Sequence, residues 1–228
     1  MTRVILGLSA SMGDGAVVLL RGKEILHSGR IGPRGEHNRN LVVVAKKALE
    51  CNSLCLSDVD TFAADVGPGS YTGIRLALSA VRTIGWLKSA KLLPVVSMDV
   101  LAISALAQLE GDRTFAIVLD ARRDAMYRCV YEPTGSVPRR VHRPVLFATD
   151  NVAEGLSLNS VIVGSVAAEC PAFENFNVLP VTPEYESDAL AQLLSNSEAE
   201  TVNWQKLQPL YLRKTSAEEF WDSRQEKK

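Results

Sequence analysis

One pattern of short apolar runs and tight turns occurs twice in this chain of 228 residues. Residues 4–8 form an apolar run, and after a glycine-containing turn a second apolar run follows at 16–20. The same order of apolar run, polar turn and second strand returns at 114–131. Short apolar runs bounded by turn residues predict strands. The recurrence therefore constrains the chain to two similar halves that each begin with a strand meander.

Helices and further strands follow each meander. Apolar residues at helical spacing predict helices at 40–51, 72–88 and 98–109. Later elements are predicted in the second half, namely strands at 141–148 and 161–164, a helix at 188–195 and a charged surface tail at 216–228. Two halves that open with a meander and cross over through helices are typical of the two-lobed actin/hexokinase/Hsp70-type (ASKHA) fold. We therefore predict this α/β fold, with a duplicated strand meander plus helices.

The lobes are predicted at 1–109 and 110–228, because the composition changes near the polar stretch that follows Leu109. The last segment of the second lobe is a candidate to pack back on the first lobe. The hydrophobic fraction of 46% is ordinary for a globular protein. The formal net charge of −1 gives no overall electrostatic attraction to nucleic acid or to a membrane. No apolar run reaches membrane-spanning length, and we expect a cytoplasmic chain without a membrane partner.

Metal-ligating patterns are sparse. Cys51 and Cys55 are four residues apart, but no second Cys/His pair completes a zinc site, so we expect all four cysteines to be reduced, structural thiols. The histidines are also isolated from one another, at His27, His37 and His142. The spacing of these cysteines and histidines identifies no catalytic residue and no metal ligand.

A glycine-rich turn, Gly67–Arg75, joins a predicted strand at 61–66 to the helix at 72–88. Backbone N–H groups in such a turn can bind an anion. The turn is not a Walker A loop, because Ile74-Arg75 stands where Lys-Ser/Thr is required, and its spacing does not fit a Rossmann fingerprint. Two interpretations remain: the glycines allow close helix packing, or the turn contacts phosphate.

The helix at 72–88 is apolar around nearly its whole circumference, and Val42 and Val43 are surplus to the core face of the helix at 40–51. A helix that is apolar on all sides must be covered on all sides. Either both helices are enclosed within one lobe, or they form a patch that a partner covers. Gly73 would allow another helix to approach closely.

A nucleotide site in this fold usually has an acidic residue at the end of the first strand, where this chain has Ser9. A serine hydroxyl does not replace a carboxylate at Mg²⁺. Asp120 occupies the equivalent end in the second half, where we expect it to pair with Arg122 or Arg123 or to cap the turn. Several more arginines follow, and they are either solvated or available to RNA phosphate: Arg128, Arg139, Arg140 and Arg143.

Four segments together resemble the TsaB (YeaZ) family. Gly67–Arg75 is similar to its signature turn, 37–41 to a helix start, 120–127 to an Asp-Ala-Arg-Arg hairpin and 209–213 to a C-terminal Pro-x-Tyr-Leu-Arg. The motif residues are Gly67, Gly69, Ser70, Gly73, Asp120, Arg122 and Arg123. The chain departs from the family at Ser9, where the family has Asp, and its helix start lacks the family's Ser-Glu.

The resemblance implies a non-catalytic subunit that binds a TsaD-like enzyme, works with a TsaE-like ATPase and meets tRNA indirectly. It implies no firm cofactor, although ATP or ADP at the partner interface remains open. The first-lobe helices would form that interface, with the candidates Leu41, Val42, Val44, Ala45, Tyr71, Thr72, Arg75, Leu78, Val81 and Arg82. The alternatives are a stand-alone ATPase or small-molecule kinase of the same fold, and a homodimer that uses the same helices when the chain is alone.

Overall fold

The structure, a computed structural model, describes residues 2–33, 35–180, 187–196 and 200–213. Its first sheet has five strands in the order β3-β2-β1-β4-β5. These are β1 (Val4–Ser9), β2 (Ala16–Arg21), β3 (Glu24–Arg30), β4 (Thr61–Gly67) and β5 (Lys91–Val96). The first three pair antiparallel as a meander, and β1, β4 and β5 run parallel.

The second sheet repeats this arrangement in the order β11-β10-β6-β7-β8, with β9 also paired to β7. Its strands are β6 (Phe115–Asp120), β7 (Ala125–Glu132), β8 (Arg139–Arg140), β9 (Val145–Ala148), β10 (Val161–Val163) and β11 (Asn177–Leu179). The β6–β7 pair is antiparallel, and β6, β10 and β11 are parallel. The duplicated α/β architecture predicted from the recurring meander is therefore confirmed.

Four α-helices lie in the described residues and separate the molecule into layers. They are α1 (His37–Cys51), α2 (Tyr71–Lys88), α3 (Ser97–Leu106) and α4 (Ser187–Ser195). Buried residues of α1 and α2 share one core with the outer face of the first sheet. A second core joins the inner faces of both sheets to α3 and α4. A smaller core covers the outer face of the second sheet.

The end of the described chain returns to the first sheet. Helix α4 packs against β1, β2 and β3. Leu92 and Val202 exchange backbone hydrogen bonds, and the Leu210 N–H donates to the carbonyl of Val66 over 2.7 Å. The division between 109 and 110 stays a prediction, because both sheets share one core.

Several predicted boundaries need correction. The third helix ends at Leu106 rather than at 109. Of the strand predicted at 141–148, only the second half forms, as β9, and β8 lies before the predicted range. Pro144, which has no N–H to donate, lies directly before β9. Cys129 and Cys170 are buried thiols, as predicted. Cys51 and Cys55 are exposed, so the prediction that all four thiols are structural is wrong for these two. The predicted tail at 216–228 lies outside the described residues.

Among the described residues, no helix combines the length and the apolar character needed to cross a membrane.

Candidate functional site

A buried carboxylate joins the two turns that form the floor of the candidate site. Asp65 lies near the end of β4 and is only 1% exposed. Its Oδ1 accepts hydrogen bonds from the Ser97 hydroxyl over 2.6 Å and from the Gly67 N–H over 2.8 Å. Its Oδ2 accepts from the hydroxyl of Ser9 over 2.8 Å and from that of Ser11. One side chain thus ties together the ends of β1 and β4 and the start of α3.

The glycine-rich turn packs directly on the turn that follows β1. The Ser70 N–H donates to the Ser11 carbonyl over 2.8 Å, and the Ser70 hydroxyl caps α2 by accepting from the Gly73 N–H. A Cβ at Gly73 would lie 1.8 Å from the carbonyl oxygen of Ala10. Gly73 therefore allows close approach to a backbone, not to another helix as predicted. This geometry supports the packing interpretation of the turn.

The β6–β7 hairpin has an uncommon backbone. Arg122, Arg123 and Asp124 all have positive φ, at 63°, 52° and 55°. Non-glycine residues in this region are uncommon, and such strain persists where the surroundings stabilise it. The Asp120 carboxylate accepts from the Arg122 N–H over 2.6 Å, so the expectation that Asp120 caps the turn is confirmed. Strained backbone concentrates at functional sites.

Arg213 stabilises the hairpin from the C-terminal segment. Its guanidinium donates to the carbonyl oxygens of Ala121 over 2.8 Å and of Arg122 over 2.7 Å. The two segments that resemble family motifs, 120–127 and 209–213, are therefore in direct contact. The hairpin motif and the C-terminal motif meet here, through residues that are 91 positions apart in the sequence.

Between the glycine-rich turn and the hairpin lies a cleft of ≈ 870 Å³, which opens beside a second cavity of ≈ 480 Å³. Gly69, Tyr71, Arg122 and Tyr127 line both spaces. Burial raises the pKa of Tyr127, while the charge of Arg213 acts in the opposite direction. The Tyr127 phenol therefore stays protonated at neutral pH and can donate a hydrogen bond. In the described part of the chain, no three His, Cys, Asp or Glu side chains come together as metal ligands.

A cluster of one arginine and two tyrosines connects α2 to the C-terminal segment. The Arg75 guanidinium lies 4.0 Å from the ring centroid of Tyr71, and its Nε donates to the Tyr211 hydroxyl over 3.0 Å. The rings of Tyr71 and Tyr211 stack with centroids 5.2 Å apart. The hydrogen bond to Tyr211 raises the pKa of Arg75. The cluster fixes Arg75 at the surface.

Four of the ten predicted interface residues lie inside the chain's own core. Leu41, Ala45, Leu78 and Val81 are each at most 8% exposed and pack between the helices and the first sheet. The prediction that they meet a partner is wrong, because the first sheet already covers them. Helical spacing identified the apolar face correctly but could not show which surface covers it.

The remaining candidates lie where a partner could reach them. Tyr71, Thr72 and Arg75 are exposed at the start of α2, and Val42 is 63% exposed on α1. Three further apolar side chains on these helices are also exposed, namely Val43, Trp86 and Leu87. Val44 and Arg82 are half-buried. Their assignment to an interface stays a prediction.

The basic middle of the chain is more structured than expected. Arg140 donates to both carboxylate oxygens of Asp99, over 3.2 and 3.0 Å, and the Tyr131 hydroxyl donates to the same carboxylate over 2.9 Å. Burial raises the pKa of Asp99, and the charge of Arg140 opposes that effect. Arg128 stacks over Phe147 at 4.1 Å. Arg128 and Arg140 therefore make structural contacts, and Arg140 also stays exposed to solvent.

Sequence reasoning missed Asp65. The available signal was a single charged residue in the otherwise apolar strand 61–66. Asp65 is important because the sequence has Ser9 at the position where the family has an aspartate, which predicted that no carboxylate would lie there. The structure places the Asp65 carboxylate 2.8 Å from the Ser9 hydroxyl, so a carboxylate is present at this point, supplied by the neighbouring strand.

Comparison with known proteins agrees with this architecture. Residues 33–177 match the family model described as TsaD: tRNA N6-adenosine threonylcarbamoyltransferase. The chain is 25% identical over 123 residues to the "tRNA threonylcarbamoyladenosine biosynthesis protein TsaB" of Haemophilus influenzae, which is 54% of this chain and 51% of that protein. The protein of the same name from Bacillus subtilis is 23% identical over 128 residues, 56% of this chain and 55% of that one. The chain spans about half the length of the curated relatives it matches.

Solved structures show the same fold. "YeaZ from Pseudomonas aeruginosa" aligns with a TM-score of 0.73 and 24% identity, covering 92% of this chain and 100% of that chain. A second Pseudomonas aeruginosa structure, described as similar to peptidase YEAZ, aligns with a TM-score of 0.76 and 24% identity over the same shares of both chains. The resemblance inferred from the sequence motifs is thereby confirmed.

Proposed function

The chain belongs to the TsaD family and is similar to TsaB (YeaZ) proteins, and on this premise we propose that it is a non-catalytic subunit in the biosynthesis of tRNA threonylcarbamoyladenosine. In this role it binds a TsaD-like catalytic subunit and supports the active arrangement of that subunit. The interface uses the exposed faces of α1 and α2. Contact with tRNA is then indirect, through the catalytic subunit.

One observation carries the proposal: large apolar side chains are exposed on two helices whose opposite faces are fully packed. Val42 is 63% exposed on α1, and Trp86 and Leu87 are 61% and 70% exposed on α2. Exposed apolar side chains that form a contiguous patch are typical of a surface that another protein covers, and we infer that these three side chains belong to such a surface. When the chain is alone, the same surface is expected to pair with itself.

The carboxylates beside the candidate cleft favour an accessory role for the chain over independent catalysis. Both carboxylate oxygens of Asp65 accept hydrogen bonds from the chain itself, and an oxygen of Asp120 accepts from the Arg122 N–H. These carboxylates therefore stabilise the two turns that border the cleft. ATP or ADP at the partner interface, and cooperation with a TsaE-like ATPase, stay predictions of the family resemblance.

Mixing the purified chain with the TsaD-like protein of the same organism tests the proposal. Size-exclusion chromatography with light scattering is expected to show a stable heterodimer. The double variant Val42→Asp/Trp86→Asp is expected to lose the complex and any homodimer, because buried unpaired carboxylates oppose association. Leu158→Asp is the matched control, since Leu158 is 66% exposed outside both helices.

Two outcomes would overturn the proposal. One is the absence of a complex between the wild-type chain and the TsaD-like protein. The other is ATP hydrolysis by the isolated chain, abolished by a substitution in its cleft, which would favour the stand-alone ATPase.

A further inference from the structure

A groove outside the cleft runs between α2 and the C-terminal segment. It has a volume of ≈ 660 Å³, and its walls include Arg75, Ser79, Arg82, Trp86 and Trp204. Among the described residues that line it, none is Asp or Glu. In this part of the chain, the groove therefore combines two positive charges with aromatic surface and no acidic side chain.

Both arginines are held in place by the far wall of the groove. The Nε of Arg75 donates to the Tyr211 hydroxyl over 3.0 Å, and the Nε of Arg82 donates to the Trp204 carbonyl over 3.1 Å. Within the described part of the chain, neither arginine makes a further hydrogen bond or ion pair. The two terminal η-nitrogens of each guanidinium thus remain available as donors. Paired guanidinium donors can bind a carboxylate through two parallel hydrogen bonds.

The groove-lining residues of α2 follow the spacing of a helix–helix contact. Six residues of α2 line the groove, at positions 75, 78, 79, 82, 83 and 86. Steps of three and four positions keep such residues on one face toward a neighbouring helix. Seven residues correspond to about 10.5 Å along the helix axis, which separates the two arginines. Ser79 between them is small and exposed, so a second helix can approach there.

We propose that this groove docks an amphipathic α-helix of a protein partner. The docking helix presents two carboxylates, about seven residues apart, to Arg75 and Arg82, and an apolar side chain to Trp86. The inference rests on the proposed function for the identity of the partner, but the chemistry of the contact is independent of it. RNA is the competing occupant, and the net charge of −1 disfavours it because phosphate backbones are bound by excess positive charge.

Ser79 provides a test that leaves both arginine contacts intact. Ser79→Glu and Ser79→Lys add side chains of similar length and opposite charge to the same exposed position. Ser79→Glu is expected to weaken the affinity for the TsaD-like protein about tenfold, and Ser79→Lys is expected to change it less than about threefold. Arg143→Glu, at an exposed position outside the groove, is expected to leave the affinity unchanged.

The double variant Arg75→Glu/Arg82→Glu is expected to weaken the same affinity about 100-fold or more. Its melting temperature is compared with that of wild type, because both arginines also hold the C-terminal segment. Equal weakening by Ser79→Glu and Ser79→Lys would overturn the proposal, since size alone would then explain the effect. Unchanged partner affinity, with loss of single-stranded RNA binding in fluorescence anisotropy, would also overturn it.

A selection that does not use the TsaD-like protein separates this inference from the proposed function. A displayed library of helical peptides is selected on the wild-type chain and counter-selected on Arg75→Glu/Arg82→Glu. Enriched peptides are expected to carry acidic residues seven positions apart. Failure to enrich that spacing overturns the inference, whereas failure of the wild-type chain to bind the TsaD-like protein overturns the proposed function alone.

Discussion

Replacing Gly73 with alanine tests whether the glycine-rich turn exists to allow close packing. The added Cβ would lie 1.8 Å from the Ala10 carbonyl oxygen and 2.6 Å from the Ala10 carbonyl carbon. A carbon–oxygen contact normally needs about 3.3 Å, so the start of α2 must move by about 1.5 Å. That movement would also strain the hydrogen bond from the Ser70 N–H to the Ser11 carbonyl.

The expected cost follows from this clash. Overpacking a well-packed core typically costs 1–3 kcal/mol, and a clash with backbone lies at the top of that range, at about 3 kcal/mol. The greater helix propensity of alanine offsets at most about 1 kcal/mol. The net cost is therefore about 2–3 kcal/mol. For a domain of this size, each kcal/mol shifts the melting temperature by about 2–4 °C, so a decrease of about 4–12 °C is expected.

Gly85→Ala is the matched control on the same helix. Its Cβ would meet the side-chain ends of Leu92 at 2.8 and 2.9 Å, and a flexible side chain can move aside. The control is expected to stay within about 1 kcal/mol of wild type in urea unfolding. The packing argument is refuted if Gly73→Ala unfolds no earlier than Gly85→Ala.

Three further outcomes follow from buried groups. Asp65→Ala leaves four donors without an acceptor and is expected to cost roughly 3–5 kcal/mol in urea unfolding. Asp65→Asn keeps one acceptor oxygen and should cost less; equal costs would contradict the hydrogen-bond account. Burial raises the pKa of Asp99 in the folded chain above its ordinary value of 3.8. The protonated form is therefore favoured by folding, and its contribution to stability is fully present below pH 3.8. That contribution is lost as the pH rises through the raised pKa of the folded state. The melting temperature of Asp99→Asn, relative to wild type, should therefore increase with pH, and a constant difference would contradict this. Only the two exposed thiols should react quickly with a disulfide reagent in the folded chain, because Cys129 and Cys170 are buried and burial raises the pKa of Cys129 to about 12. Fast reaction of all four would show that the second sheet opens readily.

The sequence predicted the architecture well because each lobe begins with the same local signal. The apolar runs at 4–8 and 114–120 are both short, are bounded by turns and are followed by a second strand, so each defines a meander without long-range information. Errors arose where a single residue ended an element. Pro144 limits the strand predicted at 141–148 to its second half, although its neighbours are compatible with a strand.

The candidate site was less predictable, because it depends on which surfaces meet. Leu78 and Val81 follow the same helical stripe whether a sheet or a partner covers them, and only the packed structure shows that the sheet does. Likewise, the contact of Arg213 with the carbonyl of Arg122 joins residues that are 91 positions apart. No periodicity in the sequence encodes such a distance.

The packing of α4 on the first sheet has a consequence for synthesis on the ribosome. Ile5 and Val18 share the inner core with Leu190 and Leu194, which are made much later. At about 5–20 residues per second, the roughly 100 residues between the first sheet and the end of α4 take about 5–20 s to translate. During that interval the nascent first sheet lacks part of its cover and is a potential substrate for a chaperone. Cleavage after the first lobe would recreate this state permanently, so a fragment ending near residue 110 is expected to aggregate, and co-expression of the missing second half should restore its solubility.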